Sequence, residues 1–170
     1  MMQKTSIPFS NWNTMIQGLD YSPQEFFALV EEAIKQKNID DLKITRIKMG
    51  EGGVLSAKRE YLRVSRKRLV FDICGAPFGN GFFVSWWLGE TPSGLAALLL
   101  SIPYVGGVVN FFANMFKPET YFSYDTRAMY RSLIHDAVTN VVDHIAEDKG
   151  LRALTQDEKK PYMKSFFDNS

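Results

Sequence analysis

The chain has 170 residues, 45% of them hydrophobic and 14% aromatic, which is enough apolar matter for the core of one domain and too much for a disordered chain. Its 20 basic and 19 acidic residues leave a formal charge of +1, which excludes a uniformly polybasic or polyacidic protein and makes any electrostatic function local. A single cysteine, Cys74, excludes an internal disulfide and a CxxC metal site and fits a reducing, cytoplasmic setting.

Residues 1–19 carry one lysine and no unbroken apolar stretch, so they do not read as a signal peptide. Ser22-Pro23-Gln24-Glu25 is a helix start, with serine as cap, proline where its missing N–H costs nothing, and glutamate placed to reach back. Phe26, Leu29, Val30, Ala33 and Ile34 then recur on one face, which predicts a helix over 23–37.

From Leu42 the period changes to two. Turn signals at Gly50-Glu51-Gly52-Gly53 and Gly75-Ala76-Pro77 separate runs rich in β-formers: Leu42 to Met49, Tyr61 to Arg66, Leu69 to Cys74 and Phe82 to Leu88. Connections this short predict an antiparallel meander, part of a sheet of three to five strands over 42–88. Leu62 and Val64 set an apolar face against Tyr61, Arg63 and Ser65, while Phe82, Val84 and Trp86 oppose Phe83, Ser85 and Trp87 in a strand that is apolar on both faces.

Thr91 to Phe116 holds no ionisable side chain except Tyr104. Its length would cross a bilayer, but Pro103 and Gly106-Gly107 divide it into two pieces, each too short to span. Three readings stand: two short core helices, an in-plane or re-entrant membrane hairpin, and a single span. Trp86 and Trp87 just ahead of it occupy the place of interfacial tryptophans. Upstream, between Leu42 and Arg68, nine basic residues face only Glu51 and Glu60. These include Lys58, Arg59, Arg63, Arg66, Lys67 and Arg68, the candidate contacts for an anionic headgroup. Strand pleating should divide them between faces, and cations on a sheet edge also guard against aggregation.

Beyond the uncharged run, Tyr121 to Tyr124 reads as a last short strand and Asp125 as the cap of a long helix with an apolar seam of Met129, Leu133, Ala137, Val141 and Ile145. Thr155-Gln156-Asp157-Glu158 reads as a capping box that opens a final short helix, interrupted by Pro161, so that C-terminal helices would occupy 125–168.

Catalytic chemistry is thinly supplied. Cys74 would need a histidine, and no local signature ties it to His135 or His144, which lie nine positions apart on opposite sides of a helix. Asp136, Asn140 and Asp143 share a helix face that reads as solvated, with no metal or cofactor expected. Asp72, in an otherwise apolar strand, needs a partner such as Arg59 or Arg63. Tyr61, Phe82 and Trp87 beside basic residues make nucleic acid a minor alternative.

The expectation is a single α+β domain over 1–170: an N-terminal helix, a basic antiparallel sheet, a two-part apolar segment and C-terminal helices. The leading functional expectation is a non-catalytic module at the inner face of a membrane. Its sheet cations would bind anionic lipid, and Trp86, Trp87, Leu95, Leu98, Leu99, Val105, Val109, Phe112 and Phe116 would provide apolar contact. The alternatives are a soluble, homo-oligomeric interaction or sensor protein with a protein partner, whose apolar run is core or interface, and a small hydrolase using Cys74.

Overall fold

A computed structural model of the chain describes residues 7–50, 58–91 and 120–163. In chain order these form β1 (Ile7–Gln17), α1 (Pro23–Lys35), β2 (Leu42–Gly50), β3 (Lys58–Arg66), β4 (Leu69–Phe78), β5 (Gly81–Glu90), α2 (Tyr121–Asp148) and the two-residue β6 (Tyr162–Met163). The strands make one antiparallel sheet in the order β2-β3-β4-β5-β1-β6, five long strands and one short. The α+β class and the meander of β2 to β5 are as the sequence predicts.

Ser22 caps α1 by accepting the Glu25 N–H, and Phe26, Phe27, Val30 and Ile34 turn its apolar stripe inward. Both helices pack on the face of the sheet formed by Leu62, Val64, Phe71, Ile73, Val84 and Trp86, here called the inner face. Tyr130 of α2 closes one end of that core and donates its hydroxyl to the Val64 carbonyl at 3.1 Å. Its burial holds the phenol far above the ordinary range.

β1 is the element that the sequence pattern leaves unassigned. It pairs with β5 from Ile7↔Glu90 to Gln17↔Gly81, with a bulge between Pro8 and Ser10. Trp12, Thr14 and Ile16 alternate with Asn11, Asn13 and Met15, so only a thin apolar signal marks its inner side.

Three expectations are corrected. Tyr121 to Tyr124 is the first turn of α2 and not a strand, because Thr120 and Ser123 form a reciprocal capping box that starts the helix before Asp125. The helix seam runs through Tyr130, Ile134, Ala137, Val138, Val141, Val142 and Ile145, while Met129 and Leu133 are exposed. The expected seam advanced by fours, and each such step slips about 40° around a helix of 3.6 residues per turn, so its five positions cannot share one face. Thr155 and Glu158 do bond reciprocally, yet they close a turn, after which the chain enters β6 past Pro161 instead of forming a last helix. The uncharged run beyond Thr91, including Leu95, Leu98, Leu99, Val105, Val109, Phe112 and Phe116, lies outside the described residues.

Candidate functional site

The tight β3–β4 hairpin turns at Lys67, whose φ of 54° is left-handed, and this sets Arg66, Lys67 and Arg68 together at one end of the sheet. The Arg68 carbonyl accepts the Thr91 N–H at 2.9 Å, so the end of β5 is fastened to the same turn. Glu90 receives two guanidinium groups there, Arg68 at 3.5 Å and Arg127 of α2 at 3.1 Å. Arg127 also lies over the rings of Phe9 and Tyr124, at 5.5 and 5.8 Å from their centroids.

Thr120 is seven residues before Arg127, roughly 10 Å along the helix axis. The two points between which residues 92–119 run, Thr91 and Thr120, therefore belong to one end of the domain. The first turn of α2 carries apolar surface at that end: Tyr121 is 91% exposed, Phe122 80% and Tyr124 42%. The arrangement is a cationic hairpin tip beside exposed aromatic rings, at the root of the longest uncharged stretch of the sequence.

The expected headgroup contacts do not form one patch. Lys58 and Arg66 lie on the inner side of β3, Arg59 and Arg63 on the outer side, because consecutive residues of a strand alternate. Lys58 and Arg59 begin β3 and Arg66 ends it, about 26 Å away at roughly 3.3 Å per residue. Arg63 is engaged elsewhere: its Nε and an Nη donate to the two Asp72 oxygens at 2.7 and 2.8 Å. That gives Asp72 one of its two expected partners and removes Arg63 from the residues that can meet an outside anion. Arg66 donates through Nε to the Asp40 carbonyl, while Lys67 is exposed at the turn.

Trp86 is corrected outright. It is fully buried in the inner core, where its indole N–H reaches His135, whereas Trp87 on the opposite side of β5 is 44% exposed. Alternation separates the two, and only Trp87 remains a surface residue. Glu90, Arg127, Tyr121, Phe122 and Tyr124 were not singled out from the sequence. The aromatic cluster of Tyr121, Phe122 and Tyr124 was a signal, read there as a strand.

The other chemistry separates in space. Cys74 is fully buried on the outer face opposite Ser85, and burial pushes its thiol above the ordinary range. His135 meets Trp86 on the other side of the sheet, and His144 is exposed beside Asp148, so neither stands as a base for Cys74. Asp143 accepts the Leu154 N–H and the Lys159 ammonium, leaving Asp136 and Asn140 exposed on α2. Among the described residues no group of three potential metal ligands occurs. Phe82 is buried on the inner face, away from Tyr61 and Trp87, which breaks up the expected stacking platform. No helix among the described residues is long and apolar enough to cross a membrane.

Neither a protein-family model nor a curated protein matches the sequence. A solved structure, that of TTHA0849 from Thermus thermophilus, is similar at 14% identity over 78% of this chain and 99% of that one, with a TM-score of 0.28. A likeness that distant carries neither a fold nor a function across.

Proposed function

We propose that the protein is a non-catalytic module that docks on anionic membrane surfaces through the hairpin end of its sheet. The observation that carries the reading is the gathering of Arg66, Lys67 and Arg68 with the exposed Tyr121 and Phe122 at the place where the uncharged run leaves and rejoins the fold. Cations near an anionic bilayer contribute about 1 kcal/mol each, and aromatic rings favour the headgroup level. Departure and return at one end favour an in-plane or re-entrant excursion over a single span. Arg68 is shared with Glu90, so Lys67 and Arg66 are the cations this reading relies on most.

The test is flotation of the purified protein with neutral and anionic liposomes at about 0.05 and 0.5 M salt, across which surface electrostatics collapses. Flotation on anionic vesicles alone, reduced by salt, by Lys67→Glu and by Phe122→Asp, is the expected result. Indifference to vesicles under all conditions overturns it.

A second reading, a soluble interaction protein whose uncharged run belongs to a core or interface, draws on the outer face of β4. Val70, Asp72 and Cys74 point away from both helices and are nonetheless buried, although Ser65, Ser85 and Gly89 beside them are small. Detergent-free protein that ignores vesicles and elutes as a defined species would favour it.

A further inference from the structure

β2 is the outermost strand on its side of the sheet, and among the described residues nothing pairs with its outer edge. Alternate residues of Leu42–Gly50 therefore direct their N–H and C=O groups away from the sheet. Beside that edge, on the helix side, α1 and the turn after it leave a groove of about 530 Å³. Ile39, Leu42 and Ile44 give it an apolar, half-buried floor. Its charged rim is partly cancelled, with Lys35 Nζ 2.7 Å from Glu31 Oε1, while Asp40 stands at the start of β2.

The strand itself carries the excess charge. Lys43, Arg46 and Lys48 are exposed, no acid interrupts them, and no ion pair engages them among the described residues. The Arg46 guanidinium lies 5.3 Å over the Phe27 ring of α1, which keeps a cation on the grooved side of the strand. An unpaired strand edge, a helix-bounded groove beside its first residues and three cations without an ion pair together have the form that binds extended chains by strand addition.

We propose that the groove between α1 and β2 takes an extended acidic peptide as an added strand of the sheet. The peptide main chain bonds the outward N–H and C=O groups of β2. On the helix side its side chains are apolar over Ile39, Leu42 and Ile44 and acidic beside Arg46 and Lys48, which share that face, while on the opposite face a carboxylate meets Lys43. The site shares no residue with the hairpin end and stands whether or not the protein docks on membranes. Edge cations that serve only to prevent strand aggregation would leave the groove without a ligand, so binding decides between the two roles.

The experiment uses the full chain, labelled with ¹⁵N, and two end-blocked decapeptides, one of glutamates with two valines spaced two residues apart to cross Leu42 and Ile44, and one with lysines in place of the glutamates. The glutamate peptide is expected to shift resonances of β2, Ile39 and the last turn of α1, and to slow exchange of alternate β2 amides at least tenfold. The lysine peptide should do neither. The exposed double variant Lys43→Glu/Lys48→Glu should weaken the glutamate peptide at least tenfold with an unchanged circular dichroism spectrum. Binding of neither peptide, equal binding of both, perturbation centred elsewhere, or indifference to the charge reversal overturns the proposal.

Discussion

Trp86 donates its indole N–H to Nδ1 of His135 at 3.1 Å, joining the middle of the sheet to the middle of α2. The Trp12 ring stands edge-on to the imidazole at 5.5 Å. Trp12 in turn donates to the Glu158 carbonyl at 2.6 Å, so the same cluster holds the C-terminal segment that leads to β6. His135 can accept from Trp86 only while Nδ1 is unprotonated.

A pH dependence follows from that requirement. Burial first of all lowers the His135 pKa, opposed by the Lys159 carbonyl and Asp136 and assisted by the Arg131 and Lys159 cations. The folded value therefore lies below 6.5, and the unfolded chain binds the proton more readily. Stability is full above about 6.5 and falls as pH is lowered through the depressed folded value. Urea midpoints measured from pH 8 down to 5 should decline, and His135→Gln, which keeps an acceptor and a donor, should remove this part of the decline. An unchanged slope in the variant would refute the assignment to His135.

The Arg63–Asp72 pair makes a different prediction, about folding and not binding. Asp72 is buried and Arg63 nearly so, with two charge-assisted bonds between them. Removing one partner leaves the other charge buried, so Asp72→Leu or Arg63→Leu should each cost about 3–5 kcal/mol, whereas the double variant should cost less than either. Chemical denaturation of the three variants checks the order. Losses in the single variants no larger than in the double one would show that the pair is weakly coupled.

Gly75 is required by contact and not by backbone conformation. A Cβ there would stand 2.3 Å from a ring carbon of Phe26, which is fully buried and has little room to retreat. Gly75→Ala should cost about 1–3 kcal/mol by overpacking, and adding Phe26→Leu should recover part of it. Thermal melts of the single and double variants measure this, and a neutral Gly75→Ala would mean that α1 shifts freely on the sheet.

Cys74 should behave as an inert thiol. Burial raises its pKa, and the thiolate is the reactive form. Labelling of the native protein by a thiol probe should be on the order of 100-fold slower than in urea. Rapid native labelling would restore the hydrolase reading that the separation of Cys74 from both histidines disfavours.

Local physics made several features legible in the chain itself. The Ser22 cap and the helical spacing of Phe26, Val30 and Ile34 specify α1, because caps and periodicity act within a few residues. Short connections leave antiparallel pairing as the available course for β2 to β5, although Gly75-Ala76-Pro77, expected as a turn, lies inside β4 and the chain turns at Gly79-Asn80, and a carboxylate inside an apolar strand demands the cation that Arg63 supplies. Membership of the cationic hairpin end was only half visible: Arg66, Lys67 and Arg68 are adjacent in sequence, but Arg127 and the exposed rings of Tyr121 and Phe122 come from a helix that begins more than 50 residues later.

The sequence by itself determined the α+β class, the first helix, the meander and the concentration of charge between Leu42 and Arg68. Tertiary structure alone decided that residues 7–17 become a strand, that Trp86 is core while Trp87 is surface, and which of the basic residues stand on the helix side of the sheet. Each of those outcomes depends on which partner lies across the sheet or beneath a helix. A pattern of alternation can state that two faces differ, but the packing of α1 and α2 selects which face is buried.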